Sequence, residues 1–206
     1  MSTSNDVLDA ARRCLMRSEG RKITLAEVAR EAGVSRPTVY RHWPEISAVI
    51  RDLLTRELTA LSAGHLADID EALERGEGVL SSIVSAVVDV ADAVTADRLF
   101  GLLARRQPDL LTPYVFERFG ATQQMALDSL GTRIARAQAL GAVRAGEPER
   151  VAAMLVLVAQ SAITGRAAVA ALLGDDWTPE LARMVRGYLA PDPADDVPDG
   201  RTVAER

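Results

Sequence analysis

The chain has 206 residues, of which 48% are apolar, 4% aromatic and 26% charged, with a formal net charge of −5. That length suits one sizeable core or a small domain joined to a larger one, and the abundant Ala, Leu, Val and Arg, without alternating strand-like runs or Asn-Gly hairpins, predict an all-α class. The single cysteine, Cys14, excludes an intramolecular disulfide, and the acidic N-terminal stretch has no leader-like apolar run, so the expected location is the cytoplasm.

Residues 6–18 read as a first helix, with Leu8, Ala11 and Leu15 on one face and Arg12, Arg13 and Arg17 on another. Gly20 suits its left-handed close. Thr24 opens a second helix, where Thr24 and Glu27 have the spacing of a capping box and Leu25, Val28, Ala29 and Ala32 form a buried face. Gly33 breaks it. Ser35 caps a short third helix over 36–42, with Pro37 in the first turn, where a missing N–H does no harm, and Trp43-Pro44 closes it. A fourth helix is predicted over about 45–62, striped by Ile46, Val49, Ile50, Leu53, Leu54, Leu58 and Leu61. Further helices are predicted near 66–75, 79–94 and 95–105, from Thr112-Pro113 to about 140, over about 149–173, and over 179–189. The division is then 1–50 for a small N-terminal domain, linked through the fourth helix to a larger helical domain over 51–190, with 191–206 a Pro- and Asp-rich tail that reads as disordered.

Charge is unevenly placed. Residues 21–51 carry six bases and three acids, a net +3, which leaves −8 for the remainder. A basic end on an acidic chain is compatible with DNA binding there and repulsion elsewhere. The same segment holds a capped helix, a Gly-containing turn and a short second helix, as a helix-turn-helix requires. Val34 and Val39 suit pinning the two helices together, leaving Arg36, Pro37, Thr38, Tyr40 and Arg41 to face outward. Arg36 matches a guanine edge, Thr38 a thymine methyl or a phosphate, and Tyr40 and His42 phosphates. Thr24, Ser35 and the free N–H groups at the helix starts add anion-binding positions. A hairpin that merely packs explains the capping and the apolar face. It does not explain an Arg-Pro-Thr-x-Tyr-Arg-His cluster on a helix too short to stand alone.

At these residues the chain resembles the TetR family of bacterial one-component repressors. The matching elements are T-L-A-E-V-A-R-E-A-G-V-S, then R-P-T-V-Y-R-H-W, then the apolar fourth helix, over about residues 6–58. One departure stands out: the family usually has a basic residue early in the fourth helix, within reach of a phosphate. Here that position is Ile46, and Trp43 replaces the usual phenylalanine, so the contact is either missing or supplied by Arg41 or Arg51.

The resemblance implies that the remaining helices sense a small-molecule ligand and dimerise, so that two recognition helices read a palindromic DNA operator. Residues 151–174 are apolar almost all round, so both sides of that helix need burial. Ala159, Ala162, Gly165 and Ala168, with Leu181, Met184, Val185 and Tyr188, are the predicted homodimer interface. A membrane span of that length is the rival reading, opposed by Gln160, Ser161, Thr164 and Arg166 within it. Phe100, Leu103, Tyr114, Phe116, Phe119, Met125, Met154 and Trp177 are candidate pocket residues, against the plainer reading of each as core. No catalytic residue, metal ligand set or cofactor is expected: there is no G-x-S-x-G, no Walker loop and no His/Cys cluster. Two alternatives stay open: a DNA-binding regulator without a small ligand, and an all-helical enzyme.

Overall fold

The computed structural model describes residues 3–110 and 121–191. Among them lie nine α-helices and no strand: α1 Thr3–Arg17, α2 Leu25–Ala32, α3 Arg36–His42, α4 Ile46–Arg75, α5 Val79–Ala96, α6 Arg98–Arg106, α7 Ala121–Ala139, α8 Pro148–Leu173 and α9 Trp177–Leu189. The all-helical class read from composition is the class observed. The predicted helix start at Thr112-Pro113 and positions 192–206 of the predicted tail lie outside the described residues.

The sequence predicts two helices over 45–62 and 66–75, whereas the structure has one, α4, of 30 residues. Gly64 sits in its middle without leaving the helical region. A mid-helix glycine costs about 1 kcal/mol relative to alanine. Packing at both ends outweighs that cost, because α4, alone among the described helices, has its two ends buried in different cores. Its first part gives Val49, Ile50, Leu53 and Leu54 to the N-terminal core, and its last part gives Ile69, Ala72 and Leu73 to the C-terminal one. At 1.5 Å per residue it is about 45 Å long.

The N-terminal core joins Val7, Leu8, Ala11, Cys14 and Leu15 of α1 to Leu25, Val28 and Ala29 of α2, Val39 of α3, and Trp43. Leu99 and Leu103 of α6 also pack into it, both fully buried. Gly20 permits that docking. It has φ +75, and a Cβ there would lie 3.0 Å from both Cβ and the carbonyl oxygen of Leu102. The buried Gln107 amide closes the joint by donating to the Gly20 carbonyl at 2.8 Å.

The C-terminal core is built on α5, whose buried residues, Val79, Ile83, Val84, Ala86, Val87, Val88, Ala91 and Val94, occupy more than one side. The end of α4, α8 and α9 pack against it, and α7 packs against α8 and α4. By length and hydropathy α5 and the stretch beginning in α8 are apolar enough to cross a membrane. In this fold α5 is a core helix, and that burial accounts for its composition. Arg166, midway along α8, is tied to Asp92 and Thr95 of α5 and lies over the Trp177 ring, 4.4 Å from its centroid.

Candidate nucleic-acid interface

The interface is assembled from local rules. Thr24 caps α2 in a full capping box: its backbone N–H and hydroxyl donate to Glu27 Oε2 at 2.7 and 2.8 Å, and the Glu27 N–H donates back to Thr24 Oγ1 at 3.2 Å. The Thr24 hydroxyl, followed by its N–H, holds the Glu27 carboxyl below its usual range. The Thr24 hydroxyl and N–H are thus both engaged by the Glu27 carboxylate. Thr24 is a cap here.

Gly33, at φ 68, closes α2, with the Val34 N–H reaching back to the Ala29 carbonyl at 3.0 Å. Ser35 caps α3 through a 3.3 Å bond from the Thr38 N–H, and the two hydroxyls share a 2.7 Å bond. Pro37 lies in the first turn. Val39 is fully buried and pins α3 to α2, as the spacing predicts. Arg36, Pro37, Tyr40, Arg41 and His42 are exposed and Thr38 is half-buried. Tyr40 is 51% exposed, an unusual setting for a large aromatic ring in a protein with 4% aromatics. Six of the seven residues of α3 are thus exposed or half-exposed around the buried Val39, with Ser35 acting as its cap.

Ion pairs fix the scaffold behind this surface. Glu31 of α2 accepts from Arg17 at 2.7 Å and Arg13 at 2.9 Å, both on α1, and these bonds lower its carboxyl pKa, Arg17 foremost. Arg12 reaches Glu57 at 3.2 Å, and Arg56 joins Asp9 at 2.9 Å to Glu57 at 2.8 Å, tying α1 to α4. Burial, then Glu31, raises the Cys14 thiol pKa, in keeping with a packed side chain.

At the departure noted above, Ile46 is half-buried and packs against the N-terminal core, so its side chain offers nothing to a phosphate. Arg41 and Arg51 are both exposed nearby in sequence. Trp43 is 6% exposed, and its indole N–H donates to Asp52 Oδ2 at 2.7 Å. Sequence reasoning passed over Asp52. The available signal was the tryptophan in place of a phenylalanine, because an indole that packs in a core needs an acceptor for its N–H.

The residues proposed from sequence for a pocket do not converge. Phe100 and Leu103 pack in the N-terminal core, Trp177 in the C-terminal core, and Met125 and Met154 are exposed. Tyr114, Phe116 and Phe119 lie outside the described residues. An open cleft of about 450 Å³ between α4 and α5 is polar instead, lined by His65, Asp68, Glu71, Ser82, Ser85 and Asp89 among others.

The predicted dimer residues also divide. Leu181 and Val185 are buried in their own subunit's core, Ala159, Ala162 and Tyr188 pack against it, and Gly165 is half-buried. Ala168 and Met184 are free. The exposed line on α8 runs through Met154, Leu157, Ser161, Thr164, Ala168 and Leu172, with Met184 of α9 beside it. The apolar character of this helix was readable, but it is apolar almost all round, so periodicity could not say which side faces inward.

A tight helix-turn-helix with an exposed Arg-Pro-Thr-x-Tyr-Arg-His helix, carried on a larger all-helical body, defines a DNA-binding transcriptional regulator. The family model "Bacterial regulatory proteins, tetR family" matches residues 7–53. An uncharacterized HTH-type transcriptional regulator of Mycobacterium tuberculosis is 34% identical over 197 residues, spanning 92% of this chain and 99% of the relative. Among solved structures, Thermus thermophilus FadR, a TetR-family repressor in complex with lauroyl-CoA, is 23% identical, with 89% of this chain and 91% of that chain covered at TM-score 0.61. SmeT, the repressor of the Stenotrophomonas maltophilia multidrug efflux pump SmeDEF, is 19% identical, with 97% and 95% covered at TM-score 0.60. The chain belongs to the TetR family of transcriptional regulators.

Proposed function

We propose that this regulator is a homodimeric repressor that holds a palindromic operator with two copies of α3 and lets go when a small molecule binds its helical body. The observation that carries the reading is the exposed, basic, aromatic-bearing face of α3 on a helix pinned from behind by Val39. Arg36 and Thr38 meet base edges, while Tyr40, Arg41, His42 and Arg51 hold phosphates in place of the side chain that Ile46 does not provide. Residues 1–50 form the DNA-binding unit, with α6 reaching back into its core, and 51–190 form the regulatory and dimerisation unit.

Dimerisation is supported by the outer face of α8 and α9. Leu172 is 87% exposed, Met184 54%, Leu157 47% and Met154 42%. Positions 154, 157, 161, 164 and 168 alternate steps of three and four, the seam of a helix that packs against another helix. Release by a small molecule is supported by relatives of the same fold, one of them solved with lauroyl-CoA.

The test is equilibrium binding to operator DNA by Arg36→Ala/Tyr40→Ala. Specific binding is expected to vanish, with the helical spectrum and the oligomeric state of the parent retained. Parent-like binding by the double variant would refute the assignment of α3.

A further inference from the structure

We infer that Asp52 is a positioning residue for DNA recognition: it stands outside the reading surface and sets the pose of α3 by holding the indole of Trp43. The inference rests on α3 being the reading helix. With seven residues, α3 has no stability of its own and takes its pose from its anchors. Ser35 fixes the N-terminal end and Val39 the middle. A helix held at those points alone can still rock about Val39.

Trp43 supplies the third anchor. It is the residue at which α3 ends, in extended conformation (φ −130, ψ 109), and its own N–H still bonds the Val39 carbonyl at 2.9 Å. Its ring lies in the N-terminal core, and packing alone leaves a flat ring able to slide in its plane. The 2.7 Å bond from Nε1 to Asp52 removes that freedom, and a carboxylate acceptor makes it stronger than a neutral pair. The Asp52 backbone is itself fixed, because Ile50, Leu53 and Leu54 on either side of it are buried. His42 of the reading surface lies against the indole, 5.7 Å between ring centroids, so the pose of the ring reaches the DNA-facing side chains directly. A phenylalanine at 43 would fill the same core without this bond. An acid here also weakens the attraction of the neighbouring bases for DNA, which gives Asp52 a cost that the bond to Trp43 offsets.

The experiment uses the full chain and two duplexes: one recovered by the parent protein from random DNA, and a scrambled duplex of equal length. Asp52→Ala removes the acceptor, Asp52→Asn keeps one, and Trp43→Phe removes the donor. The readout is the ratio of affinities for the two duplexes, at a temperature where circular dichroism shows each variant folded. Asp52→Ala and Trp43→Phe are each expected to lower the ratio by about tenfold, and the double variant no further, while Asp52→Asn stays near the parent. Removing the Asp52 charge should raise affinity for both duplexes alike, so the ratio, and neither affinity alone, reports on the pose of α3. Parent-like ratios for Asp52→Ala and Trp43→Phe, or losses that multiply in the double variant, overturn the inference. If Asp52→Ala does not fold, Trp43→Phe decides: a lowered ratio supports the bond and a parent-like ratio refutes it. Arg36→Ala/Tyr40→Ala, run alongside, reports separately on the reading helix, and intact binding there overturns both.

Discussion

Glu27 and Glu31 show how single residues on a short helix support a distant reading surface. Both carboxyls lie below their ordinary range, Glu27 through Thr24 and Glu31 through Arg17 and Arg13. A lowered native pKa means that the ionised form is favoured by folding. The contribution is therefore complete above the unfolded value of about 4.3 and is lost as pH falls through the native value. Thermal unfolding of the parent is expected to be flat in this contribution from pH 7 to about 5 and to weaken below about pH 4.3. Glu27→Gln/Glu31→Gln should show a shallower acid limb in the same melts; a limb as steep as the parent's would mean that other carboxyls govern it. Much of this was legible, because capping boxes and left-handed glycines are local chemistry. The Arg17–Glu31 and Trp43–Asp52 bonds were not, because they join side chains from different helices whose relative placement no local rule gives.

Among the elements, α4 and α8 mark the limits of pattern reading. In α4 the predicted apolar stripe stops at Leu61, before the exposed Gly64, and only the two cores at its ends explain why the helix runs through. In α8 and α9 the apolar surplus was plain, but of the residues the sequence assigned to a partner Leu181 and Val185 are buried in the chain's own core, while Ala159 and Ala162 are partly covered by it. The physical reason is that small residues suit close packing within a subunit as well as between subunits. The exposed seam gives a sharper prediction. Leu157→Glu/Leu172→Glu is expected to yield folded monomers in sedimentation, because it places four carboxylates in an interface otherwise made of apolar and small side chains. An unchanged dimer would move the interface to another face.

For the molecule as a whole, the two cores are joined by the continuous α4 and by α6, which leaves α5 to dock Leu99 and Leu103 in the N-terminal core and is locked there by Gln107 and Gly20. A change in the helical body therefore has two physical routes to the reading helix. Net charge fits the proposed division of labour: the positive segment is expected to meet DNA, and the acidic remainder to orient the approach and make binding steeply salt-dependent. The central claim, that paired copies of α3 read a specific sequence, is tested most directly by selecting bound duplexes from random DNA with the full chain. The expected result is an inverted repeat whose half-sites lie roughly 34–36 Å apart, one helical turn, or a multiple of it. Recovery of no preferred sequence, or of a single unrepeated site, would contradict it.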